Sequence, residues 1–258
     1  MKTNYYDVTE MAGTKVSKEQ VERMCRRYYW AKKYCIDKDV LEVACGSGQG
    51  LGYLQKFSKS IEGGDYSNKI LKTPIKYYGD RISIKQFDAH KLPFEDKSKD
   101  VIIIFESIYY LKSFQTFINE CKRVLRKEGI ILISTANKDL YDFNPSPYTY
   151  NYYGVIELQQ IFKRNNFVTK FFGDVSTKNI SFRQKFLRPV KKIAVKLNIV
   201  PRSMIGKKIL KKLVFGNLVN LPYEIEENMV KYNLPSIISS KKTDREFKVI
   251  FCEAKLKI

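Results

Sequence analysis

A glycine-rich segment that directly follows a buried apolar strand, VLEVACGSGQG at residues 40–50, constrains the fold of this chain more than any other feature. Glycines at 46, 48 and 50 allow the backbone to turn tightly and to approach a ligand without an intervening Cβ atom. A helix beginning near Gly50 would point the positive end of its dipole at that ligand. The segment therefore predicts a strand–turn–helix unit that binds a cofactor.

The spacing of the glycines distinguishes two cofactor classes. The dinucleotide fingerprint G-x-G-x-x-G needs its third glycine three positions after the second, and Leu51 stands at that position. No register of the four glycines between 46 and 52 restores that pattern. Glu42, four positions before the first glycine, resembles the acidic residue found in the methyltransferase version of this turn. The alternative interpretation is a glycine-rich turn with a purely structural role.

Strand and helix patterns alternate along the whole chain. We predict strands at 39–45, 60–65, 82–88, 99–106, 130–135, 167–175 and 246–256. We predict helices at 17–35, 51–57, 68–79, 113–126 and 154–166, the first opened by a Ser17–Gln20 capping box and the third kinked or interrupted at Pro74. Repeated strand–helix units predict an α/β fold with a mostly parallel sheet and helices on both faces. In such sheets the ligand binds beyond the carboxyl ends of the strands, near the switch in strand order.

Composition limits the class of protein. The chain has 258 residues, of which 44% are hydrophobic, enough for one sizeable core. Its five cysteines never show C-x-x-C spacing and His90 is the lone histidine, so we expect neither a disulfide framework nor a metal site. No apolar run approaches 18 residues, and MKTNYYDVTEMAG lacks the apolar region of a secretory signal. We therefore expect a cytoplasmic protein.

We predict a single domain over residues 1–258. It would comprise an N-terminal helical cap (1–37), a cofactor-binding core (38–175), a basic helical insert or lid (176–240) and a final strand (241–258). Between residues 176 and 223 there are twelve Lys and Arg and no Asp or Glu, within a net charge of +20. Basic amphipathic helices near 183–213 would suit peripheral contact with the anionic inner face of a membrane. The alternatives are contact with a nucleotide-linked or phosphorylated substrate, or a solvated basic lid.

Acidic residues end the second and third predicted strands. Asp65 lies nineteen positions after Gly46, where a carboxylate can accept hydrogen bonds from ribose hydroxyls. Tyr66 could pack on an adenine ring, Asp88 could accept from its exocyclic amine, and Ala89 would leave room for the ring. For both acidic residues the alternative is an ordinary turn. We place the lone histidine at the adenine rim and do not favour it as a catalytic base.

The run from Val40 to Thr135 resembles the class I S-adenosylmethionine-dependent methyltransferase family. The segments VLEVACGSGQG, GGDYS, FDAHKLPFED, FESIYYL and RVLRKEGIILIST resemble its motifs in their order. The resemblance implies a Rossmann-like seven-stranded sheet whose last strand inserts antiparallel beside the fifth. It implies S-adenosylmethionine as the cofactor, bound by Arg27, Glu42, Ala44, Gly46, Gly48, Asp65, Tyr66, Asp88, Ala89 and Phe105.

Two residues depart from the family pattern. Ala44 stands where many members have a glycine, and Tyr110 stands where relatives often have a histidine. The acceptor side should come from the N-terminal helix and the loops after strands four and five. The second of these loops, residues 136–154, offers stacking faces and hydrogen-bond donors suited to a sugar, or packs structurally over the sheet. Tentative catalytic residues are Glu106, Tyr110, Asn137 and Tyr148, with Tyr150 and Tyr152 as further candidates.

The pair Arg27-Tyr28 and the segment NPSPYTYNYYGVIEL resemble methyltransferases of bacterial surface-polysaccharide (capsule or lipopolysaccharide) synthesis, which often have histidines at positions 148 and 150. We therefore predict an O-methyltransferase acting on a sugar hydroxyl or phosphate-type substituent of a polysaccharide precursor, nucleotide-linked or lipid-linked. The alternatives are an RNA methyltransferase, a methyltransferase of another small molecule and a non-catalytic tether. The chain lacks a recognisable RNA-binding module, so nucleic acid is not an expected partner.

Overall fold

The computed structural model describes residues 5–178 and 217–257. The segment 183–213, for which we predict basic amphipathic helices, lies outside these ranges. Within them no helix is long and apolar enough to cross a membrane.

The strands and helices alternate as the sequence predicts. In chain order they are β1 (Lys15–Ser17), α1 (Lys18–Cys35), β2 (Asp39–Val43), α2 (Leu51–Gln55), β3 (Ser60–Asp65), α3 (Asn68–Tyr78), β4 (Ser83–Gln86), β5 (Lys99–Phe105), α4 (Phe114–Val124), β6 (Leu125–Ala136), α5 (Val155–Arg164), β7 (Phe167–Ser176), β8 (Leu218–Asn220), β9 (Ser236–Ile238) and β10 (Phe247–Leu256).

The main sheet has the order β4-β3-β2-β5-β6-β10-β7-β9. The first five of these strands pair in parallel, while β10 is antiparallel to both β6 and β7. The insertion of the last predicted strand beside the fifth is therefore confirmed. The strand order reverses between β2 and β5, which places a crevice at their carboxyl ends.

Three short strands were not predicted. The strand β9 makes the main sheet eight-stranded, and β1 pairs with β8 in a separate two-stranded sheet. Each spans three residues, too few for an alternating pattern to stand out. The described part of the predicted helical insert, residues 217–240, contains β8 and β9 and no helix, so that prediction is wrong for this part.

Two helices differ from their predicted form, one at an internal proline and one at its end. The helix α3 continues through Pro74, so the predicted interruption is wrong; Pro74 is buried, and its side chain packs beside Gly48. The helix α4 ends at Val124, because Leu125 already adopts extended dihedrals and begins β6. The predicted capping box at Ser17 is confirmed: its Oγ accepts from Gln20 N, and Gln20 Oε1 accepts from Ser17 N.

Alternate residues of the central strands bury on opposite faces of the sheet. One core contains Val40 and Ile103 with side chains of α1, α2 and α3, and the other contains Leu41 and Ile102 with side chains of α4 and α5. Trp30 of α1 is 1% exposed and stacks on a phenylalanine of β10 at 4.8 Å between ring centroids. The two cores hold α1 and the strand ends in fixed positions around the crevice.

Candidate active site

A cavity of about 550 Å³ lies at the switch in strand order. Its walls come from the ends of β2, β3 and β5, one face of α1, and the chain segment before β1. This is where open α/β sheets bind their ligands, and the volume is within the range of small-molecule sites. The predicted position of the site therefore coincides with this cavity.

The turn after β2 has left-handed backbone at alternating positions. The φ angles are 55° at Ala44, 59° at Gly46 and 76° at Gly48. A Cβ atom at Gly48 would lie 2.8 Å from Pro74 Cβ, and one at Gly50 would overlap the Tyr28 ring. Glycine is required at 48 and 50 by packing, whereas Ala44 carries a side chain in a conformation that favours glycine. Alanine at position 44, where many members of the family have glycine, should therefore lower the stability of this turn.

Asp65 ends β3 directly beside this turn. Its Oδ2 accepts from Gly46 N at 3.1 Å and its Oδ1 from Ser67 N at 2.9 Å. Burial raises the pKa of Asp65, opposed by these backbone donors. The side chain is 9% exposed and lines the cavity. Each carboxylate oxygen retains a lone pair, so the arrangement can accept hydrogen bonds from two vicinal hydroxyls.

The predicted adenine side also lines the cavity. Tyr66 is 56% exposed, while Ala89 is buried. Asp88 Oδ1 accepts from the backbone N of His90 at 2.8 Å and lies 2.6 Å from its Nδ1. The Nε2 atom of His90 accepts from Ser113 N at 3.1 Å. The imidazole therefore joins two loops, which agrees with a place at the rim and leaves no free nitrogen for a base.

Glu42 lies at the centre of the cavity wall. It is 1% exposed, its Oε1 accepts from the Tyr28 hydroxyl, and its Oε2 has no hydrogen-bond partner in the described chain. Burial raises the pKa of Glu42 to about 7. The Nε atom of Arg27 is also buried and unpartnered, and the Arg27 charge opposes the rise in that pKa. The unpartnered Oε2 atom of Glu42 and the unpartnered Nε atom of Arg27 fit the ammonium and carboxylate of an amino acid.

The end of β5 forms the opposite wall of the cavity. Phe105 packs edge-on against Tyr28 at 5.3 Å between ring centroids. Glu106, with a φ of 51°, accepts from Ser134 Oγ at 2.8 Å. It also accepts from the Tyr109 hydroxyl at 3.2 Å and lies 3.9 Å from Arg27 Nη1. These bonds fix a carboxylate where an acceptor molecule would lie.

Residues from both predicted acceptor loops meet in this wall. Tyr110 and Tyr150 line the cavity together with Ser146. The Tyr110 hydroxyl donates to Ser146 Oγ at 3.0 Å, and Tyr150 N donates to the backbone oxygen of Tyr109 at 2.8 Å. Burial raises the pKa of Tyr110, which keeps its hydroxyl protonated. The wall thus offers aromatic faces and hydroxyl groups.

Three tentative acceptor residues do not reach the cavity. Asn137 is 1% exposed, and its Nδ2 donates to the backbone oxygens of Asp244 and Phe247 and to Asp244 Oδ1, at 2.9–3.1 Å. Tyr148 is half exposed outside the cavity. Tyr152 stacks on Tyr109 at 4.4 Å and accepts from Ser146 N. The structure assigns Asn137 and Tyr152 to holding the loop, so neither is in a position to contact an acceptor.

Several cavity residues were missed in the sequence. The segment before β1 crosses the glycine turn, where Ser47 Oγ donates to the Glu10 carbonyl and accepts from Ala12 N. On α1, Gln20 and Arg23 line the cavity in addition to Arg27. Their spacing of three and four residues could have revealed one polar helix face. The crossing segment carries no comparable pattern. Further lining residues include Tyr5, Val8, Thr9, Gln49, Lys112 and Leu221.

Comparisons with known proteins agree with this geometry. Residues 41–133 match a family model described as a methyltransferase domain. The chain is 32% identical over 120 residues to a probable S-adenosylmethionine-dependent methyltransferase of Mycolicibacterium smegmatis, covering 43% of this chain and 46% of the relative. It is 35% identical over 105 residues to a fatty-acid O-methyltransferase of the same organism, covering 38% and 37%. The chain thus matches less than half the length of either relative.

The fold is shared over almost the full length. A solved S-adenosylmethionine-dependent methyltransferase from Thermotoga maritima superposes with a TM-score of 0.59 at 12% identity, covering 92% of each chain. The predicted Rossmann-like fold is therefore confirmed. The segment matched by the family model, residues 41–133, begins within β2 and continues through β3, β4 and β5, so it includes the glycine turn, Asp65 and Phe105.

Proposed function

We propose that this chain is an S-adenosylmethionine-dependent methyltransferase. The observation that carries the proposal is the unpartnered Oε2 atom of buried Glu42, a residue that lines the cavity beside the glycine turn and Asp65. A buried carboxylate oxygen without a partner is unfavourable unless a bound cation compensates it. The ammonium group of the methionine moiety supplies that cation, and the methyltransferase domain matched at 41–133 is the class that binds this cofactor.

The residues fit each part of the cofactor. Glu42 and Arg27 would hold the amino-acid end, Asp65 the ribose hydroxyls, and Tyr66, Asp88 and Ala89 the adenine. When bound, S-adenosylmethionine supplies an activated methyl group. The protein's task is then to align the acceptor with that methyl and to exclude water. Phe105 and Tyr28, which pack together against the cavity, contribute to the dry wall.

We infer that the acceptor atom is an oxygen. Glu106 lies at the acceptor wall with each carboxylate oxygen accepting one hydrogen bond, so a lone pair remains to orient an acceptor hydroxyl. The tyrosines at 110 and 150 provide stacking faces for a polar ring. These features support a sugar hydroxyl or a phosphate-type substituent of a surface-polysaccharide precursor as the acceptor.

A lipid acceptor is the second candidate. The Mycolicibacterium relative at 35% identity is a fatty-acid O-methyltransferase, and the aromatic wall would also accommodate an alkyl chain. A carboxylate or phosphate oxygen is already anionic and needs no general base, whereas a sugar hydroxyl gains from one by about 10²–10⁴-fold. A sugar-hydroxyl acceptor and a fatty-acid acceptor therefore differ in their dependence on Glu106.

Methyl-labelled S-adenosylmethionine tests both levels of the proposal. Purified protein would be incubated with the labelled cofactor and with nucleotide sugars, phosphorylated sugars, capsule fragments or fatty acids. Transfer to a sugar hydroxyl should fall at least 100-fold in Glu106→Gln, and transfer to a fatty acid should fall less than threefold. Absence of S-adenosylmethionine binding by calorimetry would refute the cofactor assignment irrespective of the acceptor.

Peripheral membrane contact remains a proposal from the sequence alone. The segment 183–213, which is outside the described residues, interleaves lysine and arginine with apolar residues. Such a segment would bring the enzyme to a lipid-linked acceptor. Deletion of 183–213 should abolish co-sedimentation with vesicles containing anionic lipid. If the full-length protein never co-sediments with them, the membrane proposal is wrong.

A further inference from the structure

A second arginine, Arg23, faces the cavity without a protein partner. It lies one turn before Arg27 on α1, on the helix face that also carries Gln20. Its Nε atom is buried, and Arg23 makes no hydrogen bond or ion pair anywhere in residues 5–178 and 217–257. A buried guanidinium Nε–H without an acceptor is unfavourable unless a ligand supplies one.

The two neighbouring arginines on the same helix, in contrast, each have a carboxylate within 4 Å. Arg26 points away from the cavity, where its Nε lies 3.1 Å from Asp174 Oδ1. Its Nη1 also lies 3.9 Å from Glu22. Arg27 has Glu106 at 3.9 Å and acts on the charge of Glu42. Arg23 has no carboxylate within ion-pair distance among residues 5–178 and 217–257, and it lines the cavity.

The cofactor uses only one of the two cavity arginines. Its amino-acid end has a single carboxylate and a single ammonium, and the adjacent pair Arg27 and Glu42 matches both. Arg23 and Arg27 lie one helical turn apart on the same face of α1, and Arg27 is the arginine that acts on the charge of Glu42, so Arg23 remains for a different group. The acceptor is the remaining ligand of this cavity.

We propose that Arg23 binds an anionic group of the acceptor, a carboxylate or a phosphate, so that the enzyme selects negatively charged acceptors. The inference rests on the proposed methyltransferase function and narrows its substrate class. A planar guanidinium with its donors facing a partly closed cavity can bind either oxyanion in bidentate geometry. Lys112, which also lines the cavity, adds positive charge to the same space.

The test uses full-length protein saturated with S-adenosylhomocysteine and three probes: inorganic phosphate, octanoate and the uncharged octanol. Calorimetry gives the Kd of each probe and of S-adenosylhomocysteine. We expect phosphate, octanoate or both to bind. Arg23→Gln should raise the Kd of the bound anion at least about tenfold. Arg23→Lys should restore part of the affinity, and the matched control Arg26→Gln should leave it unchanged.

The outcomes separate this inference from the proposed function. A preference for phosphate or for octanoate supports the inference and identifies which oxyanion is recognised. Binding of neither anion, or binding of octanoate no tighter than that of octanol when phosphate also fails to bind, would overturn it. A loss of S-adenosylhomocysteine affinity in Arg23→Gln, with unchanged anion binding, would assign Arg23 to the cofactor instead. Failure of the wild-type protein to bind S-adenosylhomocysteine would contradict the methyltransferase proposal itself.

Discussion

Replacement of Asp65 by alanine tests the assignment of the ribose site most directly. The carboxylate accepts from Gly46 N at 3.1 Å and from Ser67 N at 2.9 Å, and it lines the cavity with two lone pairs to spare. Alanine removes the acceptors for the ribose hydroxyls and leaves the two backbone donors unpaired. Both cofactor affinity and stability should therefore decrease, by different amounts.

The magnitude follows from these contacts. A hydrogen bond to a charged acceptor contributes about 1.5–3 kcal/mol, and two of them would be lost with the ribose. Because water can enter the open side of the cavity and replace some of these hydrogen bonds, we expect a net loss of binding free energy of about 1.5–3 kcal/mol, which raises the Kd about 10- to 150-fold. The unpaired donors should lower the free energy of unfolding by about 1–2 kcal/mol, which a typical domain tolerates.

Titration calorimetry with S-adenosylhomocysteine measures the Kd, and urea unfolding followed by circular dichroism measures the stability. Asp65→Asn keeps the shape of the side chain and removes its charge, so its affinity should lie between those of the wild type and the alanine variant. Asp96→Ala is the control, since this carboxylate is exposed and paired with Arg123. An unchanged Kd in a folded Asp65→Ala protein would refute the ribose assignment.

Further predictions concern the acid, the turn and the loop. Since burial raises the pKa of Glu42 from 4.5 to about 7, the ligand-free protein should lose up to about 3 kcal/mol of stability as pH rises between these values. Urea unfolding between pH 5 and 8 should show this loss in the wild type and not in Glu42→Gln. The same pH dependence of stability in both proteins would contradict the prediction. Ala44→Gly should raise the free energy of unfolding by up to about 1 kcal/mol, whereas Gly48→Ala should lower it by at least about 2 kcal/mol. If both variants changed the free energy of unfolding in the same direction by the same amount, the left-handed turn would be contradicted. Asn137→Ala should lower stability by about 2–3 kcal/mol with an unchanged Kd for S-adenosylhomocysteine, and a stable variant with a weakened Kd would return Asn137 to the site.

The sequence determined the parts of this protein that depend on local pattern. The apolar runs predicted the strands of the parallel sheet, because a strand that is covered on both faces appears in the sequence as a short continuous run of apolar residues. The glycine spacing after β2 and the acidic residue ending β3 predicted the turn and its carboxylate, since the parallel strands bring their carboxyl ends to one edge. The Ser17 capping box was equally predictable, because its bonds span three residues.

Only the tertiary structure decided which polar side chains reach the cavity. Asn137 and Asp244 are 107 positions apart, and their hydrogen bond withdraws the amide from the site that the loop composition suggested. The chain segment at residues 5–14 crosses the glycine turn through bonds that span about 35 residues, so no local pattern revealed it. Arg23 and Arg26 of α1 look alike in sequence. In the folded protein Arg26 pairs with Asp174, whereas Arg23 lines the cavity. The difference depends on which side of α1 faces β7 and which faces the cavity, and neighbouring residues in the sequence do not reveal this.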